Sequence, residues 1–365
     1  NEPMRKRLLI LLLTLLVLLG ISGSYVVEGL QAYSHYQQSS FANQQHCGGQ
    51  PPVHICVRVP AEIFSAFYAA YVANQYPLFT LDYSSSSPLT LIANMSISGL
   101  SQVQAQTINA TPELQTVSII PPLLSQNLRK LTSEDHTFLH VQVTDTSRHL
   151  YYMNDIPVLF HSRWLMQWVA ANRLKIGAWV TPNDSAISAL VLKASKHLAI
   201  QPPPVPNAMV GYNKANSKEV IAQVDALYDT LRLDYTMHYL QASVPYSGPG
   251  SNTIATQNVK LPAEVLQQHS GMCIELTLLL ASAVERIGLH PEIVIIPGHA
   301  FLGVAVTPDN KHFEYWDAVQ VNANIAGDSA NIATDAVYEQ NQQQHTIVDT
   351  ILISDARDAN IYPML

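Results

Sequence analysis

The feature that most constrains this chain is a run of 20 residues, Leu8 to Val27, that is almost wholly apolar or small and follows the cluster Met4-Arg5-Lys6-Arg7. About 20 helical residues span a bilayer, so a segment of this length and composition reads as a membrane span rather than a core helix. Ser22-Gly23-Ser24 offers a small-residue cleavage site, which makes a removed signal peptide the alternative to a signal anchor. In both readings the basic cluster stays in the cytoplasm and the remainder is exported, either held at the cell membrane by a single pass or secreted.

Export gives the cysteines meaning. The chain has three, too few for a disulfide scaffold and without a Cys-x-x-Cys pair. Cys47 and Cys56 flank Gly48-Gly49 and Pro51-Pro52 and could close a small loop as a disulfide, or stand as two separate thiols. Cys273 is then odd, which points to a reactive thiol or an intermolecular bridge. The net charge of −8 excludes a nucleic-acid partner, because phosphate affinity comes from clustered Lys and Arg. No His pair has ligand spacing, so no metal is expected, and no cofactor either.

Past the apolar run, Gln31 to Gln50 is polar and reads as a stalk. Val53 to Val59 alternates like a strand, and Leu89 to Ile97, Val117 to Ile120, Phe138 to Val143 and Leu150 to Phe160 are further strand candidates separated by turn signals. This spacing predicts an antiparallel, Ig-like β-sandwich, with Ala61 to Tyr76 as a possible helix, and it suggests a spacer or docking module. Arg163 to Lys175 and Ser185 to Ile200 read as helices. The stiff stretch Gln201 to Pro206 marks a domain boundary. Asn216 with Glu219 predicts a capping box at the head of another helix.

The chemistry-bearing stretch follows. Gly271-Met272-Cys273 stands before a helix whose Leu276, Leu279, Leu280, Ala283, Val284 and Ile287 share a face, and Gly288 stops it. A helix N-terminus favours thiolate over thiol. His299 opens a strand after the turn Pro297-Gly298, and Phe313 to Asp317 is a third strand that brings up a carboxylate. Thiolate, histidine and orienting acid are the parts of a cysteine triad, with Glu314 competing with Asp317 for the acid's role.

The segments Leu261 to Leu266, Gly271 to Leu276, Gly288-Leu289-His290-Pro291 and Pro297 to Val304 resemble bacterial transglutaminase-like proteins of the papain-like cysteine protease and transglutaminase superfamily. Ala178 to Pro182 and Ser354 to Ala359 are also similar to segments flanking that domain. The resemblance implies an α+β chain in which a Cys-bearing helix packs on an antiparallel sheet. It implies Cys273 as nucleophile, His299 as base and acid, and Asp317 as orienting residue. It also implies a second oxyanion donor, for which Tyr235, Tyr239 and Gln257 are candidates, with Met272 and Trp316 lining the pocket.

The expected organisation is an anchor or signal segment at 1–30, a stalk at 31–50, a sandwich at 51–162, a helical connector and Pro-rich linker at 163–206, and the transglutaminase-like domain at 207–365. The expected activity is attack on an amide carbonyl of a protein or peptide, ending in hydrolysis or acyl transfer. The alternative is an inactive surface binding or scaffold protein, or a subunit of a surface assembly with its own partners, using the same fold.

Overall fold

The computed structural model describes residues 44–198, 208–213 and 215–364. The apolar N-terminal segment, the stalk up to residue 43 and the Pro-rich stretch 201–206 lie outside the described residues. Among the described residues no helix is long and apolar enough to cross a membrane.

Alternation builds the first unit. In β2 (Val53–Val59) the odd-numbered residues are buried, while His54 and Arg58 face water. Leu91, Ala93, Met95 and Ile97 do the same in β5 (Leu89–Ile97). A strand with one apolar face must bury it against another layer. Two sheets supply the layers. One runs β1 (Gln44–Gly48), β2, β4 (Thr80–Ser85), β7 (Gln115–Ser118). The other runs β3 (Glu62–Phe64), β9 (Leu150–His161), β8 (Asp135–Asp145), β5, β6 (Gln104–Ala110). Their inner residues, among them Ile55, Leu81, Leu139 and Phe160, form one core.

Three expectations need correction here. The last residues of the supposed stalk are β1, an edge strand that pairs with β2 and carries Cys47 directly opposite Cys56. Ala61 to Tyr76 is not one helix. It is β3, a 3₁₀ turn at Ser65–Phe67 and a short helix at Tyr68–Ala73, because Ile63 and Phe64 are drawn into pairing with β9. That pairing is parallel, so the sandwich is not wholly antiparallel.

The supposed connector belongs to the second unit. Arg163 to Lys175 is not one helix: β10 (Leu165–Trp168) pairs with β12 (Ala255–Asn258), and a 3₁₀ helix follows at Ala170–Trp179. The pull is tertiary. Met166 and Trp168 are buried, and the Trp179 indole donates to the Val259 carbonyl at 2.8 Å. Arg357 ties the same segment down by donating to the Gly177 and Val180 carbonyls. The two units share a continuous core that contains Phe64, Phe67, Trp179 and residues of the Cys273 helix, and Phe67 packs edge-on against Trp179 with ring centroids 5.9 Å apart. Glu264 bonds both the Arg163 guanidinium and the Trp164 indole across the junction.

Helices Ser185–Leu198 and Ser217–Leu233 pack on the helix Cys273–Arg286. Asn216 and Glu219 form the capping box that their spacing predicts. β11 (His238–Tyr239) pairs in parallel with β13 (Ser270–Gly271), which leads into Cys273. An antiparallel sheet closes the unit in the order β16 (Phe313–Trp316), β15 (His299–Ala305), β14 (Pro291–Ile296), β17 (Asp349–Leu352). Helix Gly327–Gln343 covers its far face, where Tyr338 stacks on Tyr315 at 3.8 Å.

Gly303 lies in the middle of that sheet, and a Cβ there would meet Glu292 Cγ at 2.7 Å and Tyr315 Cε1 at 2.9 Å. Gly303→Ala is expected to destabilise the fold by about 1–3 kcal/mol through overpacking, read as a lower denaturation midpoint. An unchanged midpoint would contradict this packing.

Buried carboxylates make the second unit's stability depend on pH. Burial pushes Asp225 up to about 7, against the pull of its bond from the Trp316 indole. Burial likewise pushes Glu292 up to about 7. Asp335 is raised by burial and by Glu314 beside it. A carboxyl raised in the folded state binds more protons folded than unfolded. Its contribution is complete below its ordinary value and is lost as pH rises through about 7. The melting temperature is therefore expected to fall between pH 5 and pH 8, and Glu292→Gln is expected to flatten that slope. A melting temperature that rises over this range would contradict the assignment.

Candidate active site

Every residue of helix Cys273–Arg286 from Cys273 to Val284 is buried, so it is a central helix rather than one with a single inward face. Met272 is its N-cap in extended conformation, which puts Cys273 at the first helical position. The first N–H groups of a helix have no partner within it, and about half a positive charge gathers there. Glu275 accepts from the backbone N–H of Met272 at 2.9 Å and of Lys260 at 2.8 Å, fixing the helix start against the preceding loop. Gly271 allows the close approach, since a Cβ there would lie 3.0 Å from Val265 Cγ1. Thr277 holds the helix in register with the sheet by donating from Oγ1 to the Cys273 carbonyl at 2.8 Å and lying 3.2 Å from the Ala300 carbonyl.

His299 is the first residue of β15, directly after the Gly298 turn at φ +73°. Its Nε2 lies 2.9 Å from Asp317 Oδ2. Asp317 follows the last residue of β16 and caps the 3₁₀ turn Ala318–Ala323. Its Oδ1 accepts from Val319 N at 3.0 Å and its own N–H donates to Thr334 Oγ1 at 2.9 Å, so the carboxylate is aimed. Glu314 turns the other way, toward Asn331 and Asp335. Cys273 is close enough for its sulfur to act on the imidazole. Burial works against the imidazolium. The hydrogen bond to Asp317 and the negative charges of Asp317 and Cys273 outweigh it and push His299 up to about 10.

Residues 189–350 match the family model of the transglutaminase-like superfamily, a stretch that takes in Cys273, His299 and Asp317. The chain carries a transglutaminase-like domain. No curated protein matches the chain.

Within the transglutaminase-like domain the other predicted residues separate into two groups. Tyr239 is at the site. Its phenol is raised by burial and by the neighbouring charges of Cys273 and Asp317, with the Ala242 backbone opposing them. Gln257 is there as well, with its Nε2 3.7 Å from the Met272 sulfur and its Oε1 held by the Trp168 indole at 3.0 Å. Tyr235 and Trp316 are elsewhere. Tyr235 packs under the Lys193 ammonium, 4.2 Å from the ring centroid, and its carbonyl bonds His269. Trp316 is fully buried with its indole on Asp225 at 2.9 Å, a core role. Three residues separate Tyr235 from Tyr239, and the chain turns between them at Thr236, whose φ is +43°.

One element at the site has no signature in the sequence. Residues 240–244 run as an extended strap over Cys273. Leu240 N donates to the Gly271 carbonyl at 2.8 Å and Val244 N to the Gly298 carbonyl at 3.2 Å. The Gln257 amide donates to the Ser243 carbonyl at 3.3 Å. The Cys273 thiol donates to the Ala242 carbonyl at 3.6 Å, and the residue is 0% exposed, whereas the His299 side chain is 25% exposed. Trp168, Glu275 and Thr277 also escape sequence reasoning. Only Glu275 left a signal, three residues after the N-cap.

Proposed function

We propose that the domain is a thiol enzyme that attacks the amide carbonyl of a protein or peptide, with Cys273 as nucleophile, His299 as base and acid, and Asp317 as the residue that orients His299. The observation that carries this reading is the His299 Nε2–Asp317 Oδ2 contact at 2.9 Å beside Cys273 at the first helical position, with His299 raised to about 10. A histidine that stays protonated is the partner a thiolate requires.

In the proposed reaction the thiolate adds to the carbonyl carbon. The oxyanion is held by the Cys273 backbone N–H at the helix start and by the Gln257 amide, which Trp168 fixes beside Met272. Tyr239 is the alternative side-chain donor. His299 gives its proton to the leaving amine while Asp317 keeps the ring in place. Water then releases the acyl group, or a second amine accepts it. For either to happen the strap must move, because Ala242 occupies the space in front of the thiol.

The reading extends to place. The chain is proposed to be held at the membrane by its N-terminal apolar run, with the rest outside the cytoplasm. The Cys47–Cys56 disulfide supports that placement, since such bonds persist in oxidising compartments.

A second reading, a binding or scaffold protein without activity, draws on the complete burial of Cys273. Incubation with glutamine-containing peptides, with or without an added primary amine, followed by mass spectrometry, separates the two. An acyl adduct on Cys273 and product that vanishes in Cys273→Ala are expected. Product formation undiminished in Cys273→Ala would overturn the first reading.

A further inference from the structure

The second unit does not hold all the sulfur chemistry. Cys47 and Cys56 face each other across β1 and β2 and form a disulfide, with Cα atoms 4.0 Å apart. This pair sits on the outer face of the sandwich, because Ile55 and Val57 on either side of Cys56 point into the core. The two sulfurs are not equivalent. Cys47 is exposed on an edge strand, whereas Cys56 is 6% exposed. His54, two residues along the same face, brings its Nε2 to 3.4 Å from the Cys56 sulfur. The two sulfurs and an imidazole nitrogen of His54 all lie within 4.8 Å of one another.

The surroundings leave this imidazole to the sulfur. On the same face β4 contributes Asp82 opposite Cys56 and Ser84 opposite His54, and β1 contributes Gln45 opposite Arg58. Asp82 is engaged by the Arg58 guanidinium at 2.9 Å and the Thr116 hydroxyl at 2.5 Å. Arg58 and Asp82 are the charged groups that face His54 and Cys56 from these strands, and they neutralise each other.

We propose that Cys47, Cys56 and His54 form a thiol-exchange site on the sandwich, separate from Cys273. An incoming thiolate, from a small thiol or a protein cysteine, attacks the exposed Cys47 sulfur in line with the S–S bond. A new disulfide forms between the incoming sulfur and Cys47, and the Cys47–Cys56 bond breaks. The bonding pair leaves on Cys56, whose thiolate receives the hydrogen bond of His54 and then its proton, while the other ring nitrogen of His54 takes up the proton released by the incoming thiol. The proton lost by the incoming thiol balances the one gained by Cys56, so no oxidant or reductant beyond that thiol is needed. A leaving thiolate stabilised by a donor departs faster, and the donor here is already in contact. β1 stays registered on β2 by its ladder and by the Tyr152 hydroxyl on the His46 carbonyl at 3.2 Å, so exchange need not unfold the sandwich. Its product is an edge strand carrying a partner on Cys47.

The test uses the full chain with reduced glutathione, quenched at intervals with N-ethylmaleimide and read by peptide mass spectrometry. Glutathione is expected on Cys47 and maleimide on Cys56, and His54→Ala is expected to slow the reaction roughly tenfold, the size of effect a changed leaving group brings to thiol exchange. His54 is exposed, so this variant keeps its fold, checked by circular dichroism. Glutathione found on Cys56 instead, an equal rate in His54→Ala, or a disulfide that stays closed while oxidised glutathione exchanges under the same conditions would each overturn the proposal.

Discussion

Val244→Pro will raise the rate at which iodoacetamide alkylates Cys273 by about tenfold or more. Proline has no N–H, so the bond from Val244 to the Gly298 carbonyl is lost. That bond pins the strap's far end to the turn before His299. The near end remains on Gly271, and Ala242 sits between them with its carbonyl on the thiol. Losing about 1.4 kcal/mol of holding energy multiplies an open population by ten, and one hydrogen bond with its surroundings is of that order. Tyr246→Phe should act in the same direction, more weakly. It removes the hydroxyl that bonds Asp349 at 3.1 Å and so loosens the strap's continuation. Unchanged alkylation in both variants would mean that something other than the strap shields the sulfur.

His299→Ala will have the opposite effect. In the Val244→Pro background it should cut alkylation of Cys273 at pH 6 by about tenfold or more, because the thiolate is the reacting species and a neighbouring imidazolium favours it. Burial opposes the charged form of His299, but Asp317 and Cys273 favour it more strongly and raise it to about 10. Removing the imidazolium leaves only the helix N-terminus beside the sulfur. The ring is a quarter exposed, so its loss should leave the fold intact, as a near-unchanged melting temperature would show. Equal alkylation with and without His299 would mean that the imidazole does not activate the sulfur.

Local signals pointed to Cys273, His299 and Asp317 because each sits at an element boundary. Cys273 comes two residues after a glycine and opens a helix, His299 follows Pro-Gly and opens a strand, and Asp317 comes directly after a strand. Boundaries of this kind are set by residues next to them in the chain. The sandwich was legible for a similar reason, since alternation in Val53 to Val59 and Leu89 to Ile97 records which face is buried.

What escaped depends on distant partners. Leu165 to Trp168 reads as part of a helix until Ala255 to Asn258, some 90 residues later, offers it a strand to pair with. Gln257 could be named a candidate, but Trp168, which fixes its amide, could not, because the two meet only through that pairing. Residues 240–244 have neither period nor motif. Their extended form comes from carbonyls at Gly271 and Gly298, on two elements separated from them in sequence. Trp316 attracted notice as an aromatic beside an acid, yet its indole is committed to Asp225 in the core.

The proposed role of Cys273 as the nucleophile beside His299 is tested most directly by the rate of its alkylation. In the Val244→Pro protein at neutral pH Cys273 should be labelled faster than a model thiol under the same conditions. Labelling no faster than the model thiol would contradict it.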